Sequence, residues 1–223
     1  MNKIRIESPE IQSFETEHIA AVRRLAPECM VLLENDGTLP LGGTGKLALY
    51  GSGARRTIKG GTGSGDVNVR HFVTVEEGLK NAGFEITTQS WMDRYDQVVE
   101  ESKKKFFAAL RKEADAAGVT GSRLPMFAMG RTCPEPEYEL PLDGEGDTAL
   151  YILARNSGEG ADRKPEAGDI NLTETEIRDI LALNEKYDKF VLVLNVGGMI
   201  DLEPVKAVKT VLLMGQLGSA TGD

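Results

Sequence analysis

Four stretches of this chain are apolar almost without interruption, and each is short: KLALYG at 46–51, TALYILAR at 148–155, KFVLVLNV at 189–196 and VKTVLLM at 208–214. Short continuous apolar runs, closed by glycine or polar residues, are the pattern of strands buried on both faces of a parallel sheet. A weaker run, FEITT at 84–88, follows Gly83 and predicts one more strand. Between these runs the apolar positions recur at helical spacing. Ile19, Val22, Leu25 or Ala26, Cys29 and Leu33 predict a helix over 15–33. Pro27 falls inside it and predicts a kink or break, because proline lacks the amide donor and crowds the preceding turn. A second helix opens at 73–79 with Thr74 as N-cap and Glu77 three residues on. Residues 93–117, charged and rich in alanine, predict a long amphipathic helix. Residues 174–187 predict another, capped by Thr173 with Glu176 three residues later.

Strands alternating with helices place the chain in the α/β class. The expected architecture is a three-layer α/β/α sandwich around a mainly parallel sheet, in a flavodoxin-like arrangement. Residues 1–223 read as one domain, with 1–14 as a lead-in. Residues 118–147, carrying Pro134, Pro136 and Pro141, read as a long loop or lid over a neighbouring domain. The segment 215–223 reads as a strand-to-helix loop, so the sheet is expected to be truncated at this end.

Composition sharpens the picture mainly by exclusion. The chain is 40% hydrophobic and 27% charged, with a formal charge of -9. That balance argues against nucleic acid or an anionic membrane as the partner, since both require clustered Lys and Arg. Lys103-Lys104-Lys105 stands beside Glu100 and Glu101 and reads as a solvated helix face. Cys29 and Cys133 lie far apart and form no metal-ligand pair; Cys29 is expected in the core and Cys133 exposed. His18 and His71 share no ligand spacing. No metal or cofactor is expected. The N-terminus lacks an apolar signal core and no run of about eighteen apolar residues occurs, so a cytoplasmic location is expected.

Candidate chemistry lies in the loops. Ligands of open parallel sheets bind outside the carboxyl ends of the strands. The loop after the first strong strand, GSGARRTIKGGTGSGDVN, invites a nucleotide-binding reading that fails. Arg56 stands where a dinucleotide fingerprint needs its third glycine, and Asp66 follows Gly65 where a P-loop needs lysine. What remains is a flexible loop through which a ligand can approach the backbone closely. The loop after the second strand, Asn156-Ser157-Gly158-Glu159-Gly160, presents a carboxylate bracketed by glycines. Glycosidases use such a carboxylic acid to protonate the leaving oxygen, opposite a second carboxylate.

The two loops in this order resemble those of the α/β-sandwich domain of glycoside hydrolase family 3. So do APECMVLLENDGTLPL at 26–41 and VLNVGGMIDL at 193–202. The resemblance runs from about His18 to the C-terminus and is weakest over 90–145. It implies a retaining, β-glucosidase-like hydrolase acting on a β-linked glucoside or related oligosaccharide. Glu159 falls on the acid/base position. Gly61, Thr62, Gly63, Ser64, Gly65 and Asp66 fall on the loop that lines the sugar site. The nucleophilic aspartate belongs to a barrel domain, which the resemblance to members with the sandwich first places beyond residue 223. Pro27 and Glu34 depart from the family pattern. The chain alone is expected to be inactive. The alternative reading is a non-catalytic module that binds carbohydrate or a partner domain.

Overall fold

A computed structural model describes residues 10–63, 65–157 and 162–223. The strands are β1 (Val31–Glu34), β2 (Lys46–Tyr50), β3 (Glu85–Ile86), β4 (Thr148–Arg155), β5 (Lys189–Val196) and β6 (Val211–Leu213). They form a single sheet in the order β1-β6-β5-β4-β2-β3. All neighbours run parallel except β1, which pairs antiparallel with β6. Without β1, the strands follow the flavodoxin-like 2-1-3-4-5 order, whose switch point lies between the first and third strands of the series. Here those are β2 and β4, paired from Leu47 with Thr148 to Tyr50 with Tyr151. The apolar runs predicted as strands form the centre of the sheet, and Leu47, Leu49, Ile152, Leu153 and Leu192 are fully buried.

The helices are α1 (Ser13–Leu25), α2 (Val75–Asn81), α3 (Gln89–Ala116), α4 (Leu124–Ala128) and α5 (Glu174–Lys186). Right-handed crossovers put helices on opposite faces when the direction of strand addition reverses. Accordingly α2 lies with the C-terminal turn, where Gly78 meets Gly222. On the other face α3 and α5 are bridged by Tyr138, whose ring packs on Trp91 and Tyr95 of α3. Its backbone meets Thr175 and Arg178 of α5.

Two expectations are corrected, the extent of the first helix and the burial of Cys29. The helix predicted over 15–33 stops at Leu25, because Pro27 starts a 3₁₀ turn over Ala26–Cys29 and the chain then extends into β1. Val31, Leu32 and Leu33, spaced compatibly with a helix, instead complete the edge of the sheet. Cys29, expected in the core, is exposed. Residues 134–145 pack back on this domain's own core. Tyr138, Leu140 and Leu142 lie against it, and the Tyr187 hydroxyl donates to the Gly144 carbonyl at 2.6 Å. Among the described residues, no helix is long and apolar enough to cross a membrane.

Candidate functional site at the switch point

The loop leaving β2 has a buried root and an exposed tip. At the root, Gly53 N–H donates to the Ile152 carbonyl at 2.9 Å, and the Ser52 hydroxyl accepts from Ala154 N–H at 3.0 Å. Thr57 Oγ1 accepts from Val75 N–H at 2.9 Å, tying the root to the start of α2. Arg55 holds the same segment from the side. It donates to Glu76 at 2.7 Å, Asp93 at 2.6 Å, Asp96 at 3.0 Å and Gln89 at 2.9 Å. Partial burial opposes ionisation of Glu76, but Arg55, Lys80 and Gln89 outweigh it and lower its pKa to about 2. The other basic residues of this loop are also engaged: Arg56 pairs with Asp96, and Lys59 with Asp66.

At the tip, the chain turns tightly on itself. A side chain at Gly60 would put its Cβ 2.6 Å from the Gly65 carbonyl oxygen, closer than non-bonded atoms approach. Gly61, Thr62, Gly63, Gly65 and Asp66 lie on this turn, where the Asp66 N–H donates to the Gly63 carbonyl at 3.1 Å. Ser64 lies outside the described residues.

The loop leaving β4 begins with a charge that the sequence reading treated only as the end of a strand. Arg155 is 5% exposed and pairs with Glu176 at 2.5 Å. Glu176 also accepts from the Thr173 N–H at 2.9 Å, completing the predicted capping box of α5. One carboxylate thus caps a helix and neutralises the arginine that ends β4. Burial opposes the Arg155 charge, yet the facing Glu176 more than offsets it, and the guanidinium is held above its ordinary pKa. The next residue, Asn156, donates from Nδ2 to Thr62 Oγ1 at 2.6 Å. That bond brings the two predicted loops together. Glu159, with Gly158, Gly160 and Ala161, lies outside the described residues.

The loops after β5 and β6 close the same end of the sheet. Asn195, in β5, is fully buried. Its Oδ1 accepts from Ile58 N–H at 2.5 Å, and its Nδ2 donates to the carbonyls of Ile58 at 2.9 Å and Gly215 at 2.6 Å. It joins the β2 loop to the end of β6. Gly218 N–H donates to the Lys59 carbonyl at 2.8 Å, reinforcing that junction. Gly197 is wedged between Ser157 and Gln216; a Cβ there would overlap Ser157 Oγ and lie 2.6 Å from Gln216 Oε1. Asn195 and Arg155 were both missed by reading the sequence, because each sits inside or at the end of an apolar run. A polar residue interrupting such a run is the signal that could have found them. Among the described residues, no group of three or more His, Cys, Asp and Glu side chains could hold a metal ion.

The arrangement is a cluster of strand-end loops over the crevice between β2 and β4, with a glycine-rich tip against the start of a carboxylate-bearing loop. A family model described as the glycosyl hydrolase family 3 C-terminal domain matches residues 30–223. β-Glucosidase A of Butyrivibrio fibrisolvens is 28% identical over 242 residues, an alignment covering 97% of this chain and 27% of that protein. A β-glucosidase of Ruminococcus albus is 28% identical over 195 residues, covering 83% of this chain and 18% of that protein. The structure of β-glucosidase 3B from Thermotoga neapolitana in complex with α-D-glucose superposes with a TM-score of 0.69 at 27% identity. That match covers 93% of this chain and 28% of the Thermotoga chain. The chain thus spans only a minor part of the length of each of these relatives, and over that part its sequence and fold place it in glycoside hydrolase family 3 as the family's C-terminal α/β domain.

Proposed function

We propose that this domain supplies the general acid/base, Glu159, for retaining hydrolysis of a β-linked glucoside, at an active site completed by a barrel domain of the same protein. The observation that carries this reading is the junction at the switch point. The Asn156–Thr62 bond holds the start of the Glu159 loop against the glycine-rich tip, on the side of the sheet where ligands of this fold bind. The β-glucosidase relatives supply the reaction class.

In this mechanism Glu159 protonates the glycosidic oxygen as the bond breaks. A nucleophilic carboxylate on the barrel, about 5–5.5 Å away, attacks the anomeric carbon. Glu159 then takes a proton from the water that releases the sugar. Gly61, Thr62, Gly63, Ser64, Gly65 and Asp66 border the sugar. Thr62 is fixed by Asn156 and Asp66 by Lys59, so both can present backbone and side-chain groups without further ordering.

The test is hydrolysis of aryl β-glucosides by the chain alone and by the chain joined to the barrel domain. The joined form is expected to turn over, the chain alone is not, and Glu159→Gln in the joined form removes most activity on substrates with poor leaving groups. Turnover by the isolated chain sinks the two-domain reading. Sugar binding by the isolated chain, with no activity on addition of the barrel, supports a binding module instead.

A further inference from the structure

Both flanks of the Glu159 loop converge on one residue. Arg155, just before the loop, donates from Nε to the main-chain carbonyl of Asp169 at 3.1 Å. Just after the loop, Arg163 donates from Nε to the Asp169 carboxylate, and Lys164 N–H donates to Oδ2 at 2.6 Å. Arg163 also reaches the Met199 carbonyl at 3.3 Å, which ties the far flank to the loop after β5.

Asp169 stands on a firm base. The turn that holds it is bonded to itself, with Glu166 N–H to the Lys164 carbonyl at 2.8 Å and Gly168 N–H to the Asn171 carbonyl at 2.9 Å. Asn171 Nδ2 closes it onto the Pro165 carbonyl at 3.0 Å. The turn is docked in place by Asp201 N–H on the Ile170 carbonyl at 2.9 Å. Charge completes the clamp. Partial burial opposes ionisation of Asp169, but Arg163 and the Lys164 amide outweigh it and hold the carboxyl below its ordinary pKa.

We infer that Asp169 is a positioning residue for Glu159. It does not touch the substrate. By holding Arg155 through its carbonyl and Arg163 through its carboxylate, it fixes the span between the two flanks from which Glu159 must act. The inference rests on the proposed role of Glu159. A small misplacement of a reacting group is costly in rate even when the fold is intact.

A leaving-group comparison tests it, in the chain joined to its barrel domain. A dinitrophenyl β-glucoside departs without protonation, whereas a phenyl β-glucoside needs the acid. Asp169→Asn is expected to lower kcat/KM for the phenyl substrate by about tenfold or more, and for the dinitrophenyl substrate by less than about twofold. Asp169→Glu is expected to restore part of the loss. A merely structural role lowers both substrates by the same factor, and that result, or no loss on either, overturns the inference. Glu159→Gln measured alongside separates the two ideas. Without the same skew in Glu159→Gln, the acid/base reading fails; with the skew there and none in Asp169→Asn, only the positioning role fails. If circular dichroism shows Asp169→Asn unfolded, Arg163→Lys replaces it. That variant keeps the charge but loses the fork, and it must show the skew for the inference to stand.

Discussion

Two arginines hold the two loops of the site, and they hold them differently. Arg55 follows β2 and pairs with Glu76 in the first turn of α2; Arg155 ends β4 and pairs with Glu176 in the first turn of α5. Around Arg55 the acceptors are shared and partly wet: Glu76, Asp93, Asp96 and Gln89 all take a bond. Arg155, among the described residues, bonds one carboxylate, Glu176 in the dry interior, and two main-chain carbonyls. At its arginine, then, the β2 loop is anchored by several shared acceptors and the β4 loop by one buried ion pair. Redundancy suits a loop whose tip is made mostly of glycine and has few side chains to hold it. A single dry pair suits the role proposed for the β4 loop, the delivery of one carboxyl in one place.

The largest effect should come from breaking the dry pair. Glu176→Ala removes the one carboxylate bonded to Arg155 among the described residues, together with a helix cap, and is expected to destabilise the chain by about 3–5 kcal/mol in urea unfolding. A loss near that of an ordinary surface pair would mean that water or another group already neutralises Arg155. Asn195→Ala tests the bridge that ties the β2 loop to the end of β6. It strands the Ile58 amide and the Gly215 carbonyl, at a cost of about 1–3 kcal/mol. Amide shifts should move around Ile58 and Gly215 while those of α3 stay fixed.

Glu76→Ala should cost less than Glu176→Ala, about 1–2 kcal/mol, because Asp93 and Asp96 remain to face Arg55. Equal losses for the two glutamates would erase the contrast. The pH dependence has a definite sign. The folded pKa of Glu76 is depressed to about 2, so its contribution is fully present above the ordinary glutamate value of 4.5 and is lost as the pH falls from there to about 2. Stability measured over that range should decline in the parent chain and decline less in Glu76→Ala.

The contrast also marks what could be read from the sequence. The central strands were legible because strands buried on both faces must be apolar throughout, as Leu47–Tyr50 and Val191–Leu194 are. Thr173 with Glu176 was legible as a capping box because that motif is local. That the same glutamate neutralises Arg155 was not legible, since the two meet only through the fold. β1 was misread because an edge strand with every residue exposed carries no alternation, and its apolar side chains fit the spacing of the preceding helix. Thr74 does cap α2, accepting from Glu77 N–H at 3.2 Å, but Glu77 turns its carboxylate to His71 at 2.8 Å. Of the site, the two loops were legible as glycine-rich strand ends. Their junction through Asn156 and Thr62, and the staple through Asn195, depend on strand order and appear only once β2, β4 and β5 lie side by side.

The central claim is that Glu159 is the acid/base of a retaining hydrolase, and chemical interception tests it most directly. Glu159→Ala, in the chain joined to its barrel domain, is given dinitrophenyl β-glucoside with and without azide. The glycosyl intermediate then forms without an acid but lacks a base to activate water, and azide needs no base. The account predicts that azide accelerates turnover by about 10²-fold and that the product is the β-glucosyl azide, with configuration retained. Hydrolysis by Glu159→Ala at the parent rate, or turnover indifferent to azide, would contradict it.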